Sequence, residues 1–192
     1  MIICIGKSCG SGAHEIGEKL AGKLGYSFYD QKAVEKAACQ KICEIDADQK
    51  DVLYAQLNED AFGAIGETYD IGRTQFLAKN DVILKAASEG NCVLDVNCAD
   101  YILKEAGINR VSVFITAPFE DRVKRMKEEL QKDEIQASAF IKKENLRREH
   151  YYNYITGGSW GKAENYDICL NSSACGIEKT VDILQKLVDN FE

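Results

Sequence analysis

Proline is nearly missing from this 192-residue chain, with Pro118 the one example, and that scarcity excludes collagen-like and proline-rich fibrous classes. Histidine is almost as rare, at His14 and His150. With so few imidazoles the eight cysteines make a poor zinc framework: Cys39 and Cys43 share a helix face, yet no histidine follows at ligand spacing and no CxxC pair occurs. Cys4, Cys92 and Cys169 sit inside apolar runs, where a reduced thiol serves as a small hydrophobe. Positive charge is also short, with 24 Lys and Arg against 31 Asp and Glu and a net charge of −7. That balance removes the long-range attraction on which nonspecific nucleic-acid or anionic-membrane binding relies. The opening MIICIGKSCG holds an apolar run far shorter than a signal-peptide core, with no charged region before it, so a cytoplasmic location is expected.

What is present is enough for a core. Hydrophobic residues make up 45% of the chain and charged ones 29%, which suits one globular domain over 1–192. MIICI is a β-branched run; GKSCGSG follows, and Ile16, Leu20 and Leu24 then recur every four residues up to Gly25. The pattern predicts strand, glycine loop and amphipathic helix. YSFYD reads as a second strand, with Asp30 placed to cap a helix from Gln31 to about Cys43. Glu44 to Asp70 holds eight acids and one base, the mark of a solvated helical excursion, about 44–75. A helix from about Gln75 to Ser88 leads to NCVLDV, a strand apolar enough to be covered on both faces. Asp100 to Ala106 is helical, RVSVFIT is the fourth strand, and Pro118 suits the first turn of a helix running to about Leu130. A polar helix from about Glu134 to Tyr154, the strand YDICL and a last helix complete the chain. In that last helix Ile177, Val181, Leu184, Val188 and Phe191 form one buried stripe. Strands alternating with helices imply an open parallel sheet covered on both faces, with ligands beyond the strands' C-terminal ends.

The loop after the first strand lies at such an end. Gly10-Ser11-Gly12 before a helix lets successive amides curl around an anion, with the helix dipole behind them. The full GxxxxGK[ST] pattern is not met: with Gly12 on its second glycine, Lys7 falls on the first, Ala13 on the lysine and His14 on the hydroxyl residue. Lys7 is the substitute cation that can reach back.

GSGAHEIGEKLAGKLGYSFYD, CADYILKE, VFITAPFEDRVKRM and HYYNYITGGSWGKAENYDICLNSS, in that order, resemble successive blocks of the cytidylate kinase-like family of P-loop kinases. The resemblance implies a three-layer α/β P-loop NTPase fold, with a five-stranded parallel sheet, helices on both faces and a helical lid at about 126–156. It implies ATP and Mg2+ as cofactors and a small-molecule acceptor, with a pyrimidine nucleoside monophosphate first among candidates. ATP phosphates then fall to Lys7 and to Gly10, Ser11, Gly12, Ala13, His14 and Glu15. The acceptor falls to Asp30 and Arg73. Arg122, Arg125 and Arg148 are the lid cations, and with Lys7 and Asp30 they form the expected catalytic set; no residue is assigned to hold metal. The chain departs from the family at His14, at Val96-Asn97 in place of Gly-Arg, and at Asn145 and Leu146 in place of an acid and a base.

Phosphoryl transfer depends on neutralising charge, so the cations decide the reading. Phe119 to Arg148 carries nine bases and seven acids, a local positive excess where a lid is expected. Asp95 ends an apolar strand as a magnesium-holding acid does, but the resemblance places a Val there and strand alternation can turn it to the wrong face, so it is left out of the expected site. Tyr151, Tyr152 and Tyr154 can stack on a base, although tyrosines on a lid helix more often pack against the body. The leading expectation is a kinase. The rival is a nucleotide-binding sensor or partner-binding protein that has kept the fold and lost turnover; a thiol-redox or metal protein rests on the cysteine count alone.

Overall fold

Alternation along the first strand decides how the layers form. In the computed structural model, which describes residues 1–45, 69–188 and 190–191, with the side chains of 42–45 and 69–75 excepted, Ile2–Lys7 is strand β1. Its Ile2 and Cys4 face one side of the sheet and its Ile3 and Ile5 the other, as a period of two requires. Helix α1 (Ala13–Leu24) buries Ile16 and Leu20 against the second face, and Gly25, in left-handed backbone at φ 68°, ends it. Strand β2 (Ser27–Asp30) leads into α2 (Gln31–Ile45), whose Ala33 amide donates to Asp30 Oδ1 at 2.7 Å, the expected cap. The expected excursion at 44–75 lies largely outside the described residues.

Helix α3 (Tyr69–Ser88) precedes β3 (Cys92–Asp95), α4 (Ala99–Glu105) and β4 (Val111–Thr116). Helices α5 (Phe119–Leu130) and α6 (Glu134–Thr156) form the lid region, and Pro118 stands just ahead of α5 rather than in its first turn. A 3-10 turn (Ala163–Asn165), β5 (Ile168–Asn171), the short α7 (Ser172–Cys175) and α8 (Ile177–Val188) follow. The sheet order is β2-β3-β1-β4-β5 and every pairing is parallel. β1 lies in the middle, so its C-terminal end opens at the centre of the sheet.

Two apolar layers hold the sheet. Leu94, Ile83 and Leu103 pack on one face; Ile3, Val113, Ile16 and Leu184 pack on the other, and each such side chain stabilises the fold by about 1.5–3 kcal/mol. A separate cluster joins Val123 and Met126 of α5 to Ala137 and Ile141 of α6, and it includes Cys9 of the glycine loop. The lid helices are therefore packed on the loop itself.

Two expectations fail at the margins. Phe191 lies beyond the end of α8 and is exposed, because the helix stops before the stripe does. Cys169 is exposed as well: β5 is an edge strand with one side turned to solvent, so its apolar run does not mean burial. Among the described residues no helix is long and apolar enough to cross a membrane.

Candidate active site

Gly10 and Gly12 adopt φ values of 78° and 76°, the left-handed region in which side-chain-bearing residues are strained. Space demands glycine as strongly. A Cβ on Gly10 would lie 2.9 Å from the Arg122 carbonyl oxygen, and one on Gly12 would lie 2.5 Å from Ile177 Cδ1. The Ser8 amide donates to Ile115 O at 3.0 Å and Ser172 Oγ donates to Ser11 O at 2.6 Å, which anchors the loop to β4 and α7. Gly12 caps α1 with no side chain, so the first-turn amides of Ala13, His14 and Glu15 have no intrahelical acceptor and stand at the positive end of the helix. This is an anion cradle.

Three arginines collar it. Arg148 Nη1 donates to Lys7 O at 3.1 Å, Arg122 Nη1 to Cys9 O at a longer 3.4 Å, and Arg125 Nη1 to Gly10 O. Arg122 is further fixed by its Nε bond to Ala117 O and by the Phe119 ring 5.3 Å away. The Cys9 amide donates to Asn145 Oδ1 at 2.8 Å. Arg122, Arg125 and Arg148, expected from sequence as lid cations, are thus brought together on one loop. Two buried polar atoms here lack a hydrogen-bond partner, Ser11 Oγ and Arg148 Nε, the latter 4.0 Å from Glu144 Oε2. Buried polar atoms without partners are costly.

Asp95 corrects the sequence reading. Val93 packs in the layer that holds α1, and alternation sets Asp95 on the same side, toward the loop rather than away from it. Its carboxylate is fully buried; Lys7 Nζ donates to both oxygens and His14 Nδ1 lies 3.1 Å from Oδ2. Burial lowers the Lys7 pKa against the opposing pull of Asp95, while the hydrogen bond to Asp95 raises that of His14. The imidazolium form of His14 is thus favoured relative to that of a free ring. It remains half exposed, edge-on to Phe28 at 5.5 Å. Breaking a buried ion pair from one side leaves an uncompensated charge, so Lys7→Met is expected to destabilise the fold by about 3 kcal/mol, and Lys7→Met with Asp95→Asn to recover most of that loss. Urea unfolding of the two variants checks it.

The other expected residues are more dispersed. Asp30 sits beside Asp95 in register, with one oxygen committed to the α2 cap. Gln31 Oε1 accepts from the Asn97 amide at 3.0 Å, a link across the strand ends that composition did not reveal. Ala13 is buried and brings no charge, while the Glu15 side chain turns outward to Lys19 at 3.0 Å. The Arg73 side chain lies outside the described residues. Tyr152 is buried, with its hydroxyl 3.5 Å from Asp100 Oδ2, so it packs on the body as tyrosines of a lid helix usually do.

Among the described residues no three His, Cys, Asp or Glu side chains group together, and both Asp95 oxygens are engaged by Lys7.

The chain is similar to a cytidylate kinase from Ignicoccus hospitalis, with 25% identity over 191 residues, 97% of this chain and 98% of that protein. Among solved structures it is similar to an uncharacterized protein from Eubacterium ventriosum (TM-score 0.75, 24% identity, 98% of each chain). It is also similar to shikimate kinase from Bacteroides thetaiotaomicron (TM-score 0.55, 16% identity, 98% of each chain). Likenesses this distant in sequence carry the fold, which is the α/β P-loop kinase fold. Family membership rests on the sequence itself: the cytidylate kinase-like family model matches residues 2–174, and the chain belongs to that family.

Proposed function

We propose that the chain is a phosphotransferase, a single catalytic domain that moves the γ-phosphoryl group of ATP to a small acceptor, with a pyrimidine nucleoside monophosphate the first candidate. One observation carries the proposal: three arginines and a helix N-terminus converge on a glycine loop whose Ser11 Oγ and whose collar atom Arg148 Nε are buried without partners. The charge of a phosphate answers the collar. The cations act on charge that spreads over the transferring group, and because they are held in place before any ligand arrives they need little reorganisation. Magnesium would supply further charge neutralisation on the nucleotide's phosphates. Asp30, at the end of β2, stands on the acceptor side.

The second reading, a sensor that binds nucleotide without turnover, is favoured by one feature: Ala13 carries no ammonium, and the Lys7 ammonium is engaged by Asp95. A panel of nucleoside monophosphates and other small acceptors separates the two. With ATP and Mg2+ present, ATP is expected to raise the melting temperature, and one monophosphate to release ADP well above the acceptor-free rate. Stabilisation by ATP with no product from any acceptor supports the sensor.

A further inference from the structure

His14 occupies the first turn of α1 with one face bound and the other open. Its Nδ1 is tied to Asp95 Oδ2 at 3.1 Å, a carboxylate with no solvent exposure, while the imidazole itself is 55% exposed at the mouth of the loop. The edge contact to Phe28 fixes the ring plane. Because Asp95 accepts, Nδ1 carries a hydrogen in both protonation states, and the state of the ring is written on Nε2 alone. Neutral, Nε2 offers a lone pair, which phosphate oxygens repel. Protonated, it is a donor beside the first-turn amides.

We propose that His14, positioned by Asp95, is a proton-gated phosphate contact: as imidazolium it donates Nδ1–H to Asp95 and Nε2–H to a nucleotide phosphate oxygen, and it loses that contact when Nε2 releases its proton to solvent. The inference rests on the nucleotide-binding reading above and names a regulation of that site. The charged groups that face the ring are Asp95 from β3, Lys7 from β1 and Asp30 from β2, two acids against one base. That balance keeps the imidazolium above the ordinary histidine value of 6.5, with the hydrogen bond to Asp95 as the largest cause. The bound phosphate adds a further negative charge, so the His14 midpoint is higher in the complex than in the free protein, and nucleotide binding takes up a proton between the two. This contribution to ATP affinity is complete below the midpoint of the free protein and is lost as pH rises through the midpoint of the complex.

The chain has two histidines, so His150→Gln on the exposed side of α6 leaves one ring signal for proton NMR. In the free protein His14 is expected to titrate above 6.5, to shift down in Asp95→Asn, and to shift up when ATP is added. Calorimetric ATP binding in parent and His14→Gln across about pH 6 to about pH 8.5 gives the second readout, in which ATP's own ionisation cancels in the ratio. The parent is expected to bind about tenfold tighter at the acid end and equally at the alkaline end, and His14→Arg to keep its advantage throughout. A ratio that does not change with pH overturns the proposal and leaves the nucleotide reading intact, as does an unshifted midpoint in folded Asp95→Asn. Should Asp95→Asn fail to fold, the exposed His14 variants decide alone. Absence of ATP binding by the parent at every pH overturns both readings, and the NMR titration of the free protein then shows which part of the geometry survives.

Discussion

Gly12→Val is expected to abolish the stabilisation that ATP gives the parent protein. Two separate effects act at this residue. The backbone stands at φ 76°, where a β-branched side chain costs about 1–3 kcal/mol, and the first added carbon would meet Ile177 Cδ1 at 2.5 Å. Ile177 Cδ1 is the free end of a side chain that packs with the α1 layer at the start of α8, so its rotation can relieve the collision, whereas the positive φ is relieved only by movement of the loop. The amides of α1's first turn then no longer converge on one anion. Gly12→Val combined with Ile177→Ala separates the two effects: it removes the collision and leaves the strained φ. Thermal shift with and without ATP, read on both variants, checks the prediction. Restored stability without restored ATP response in the double variant places the loss in the backbone; an ATP shift in Gly12→Val equal to the parent's means the loop is only a turn.

How much of this site was legible in sequence depends on whether the information is local. MIICI followed by Ile16, Leu20 and Leu24 contains the strand, loop and helix within one short window, and the structure keeps that order. The apolar runs MIICI, NCVLDV and RVSVFIT likewise imply a parallel sheet, because consecutive hydrophobic residues suit a strand covered on both faces. Arg122 and Arg125 lie three apart on one helix, so their shared face was readable. What they hold was not. Their acceptors are loop carbonyls more than a hundred residues away, and no spacing rule connects them. The same applies to Asn145 and the Cys9 amide. Asp95 was visible as an acid at the end of an apolar strand, but its face depended on which neighbour β3 pairs with and on where α1 crosses. Once Val93 is known to lie under α1, two residues of alternation settle it. Edge position was equally hidden: nothing in YDICL marks it as the outermost strand, which is why Cys169 is exposed.

Arg148→Ala is expected to lower kcat by about a thousandfold while ATP affinity changes by a few fold. The side chain is already in place before any ligand is present. Arg148 lies on α6 with its side chain 15% exposed, donates through Nη1 to Lys7 O, and keeps a buried Nε without a hydrogen bond. A guanidinium fixed in this way contributes most where charge accumulates, at the top of the barrier, because no solvent has to reorganise around it. In the ground state Arg122 and Arg125 remain on the same loop and share the phosphate charge, so loss of one cation is partly covered there. The hydrogen bond to Lys7 O is worth only about 1 kcal/mol, so the variant should stay folded, and urea unfolding confirms that before kinetics are read. Arg148→Lys keeps the charge and loses the planar fork; an intermediate kcat is expected of it. The split between kcat and affinity is what distinguishes the two functions. A kinase needs this cation in the transition state, whereas a sensor that closes on nucleotide needs it in the stable complex. If the parent yields product with no acceptor, and Arg148→Ala instead weakens ATP binding by orders of magnitude, the collar serves the bound state, and the chain is a nucleotide sensor built on a kinase fold.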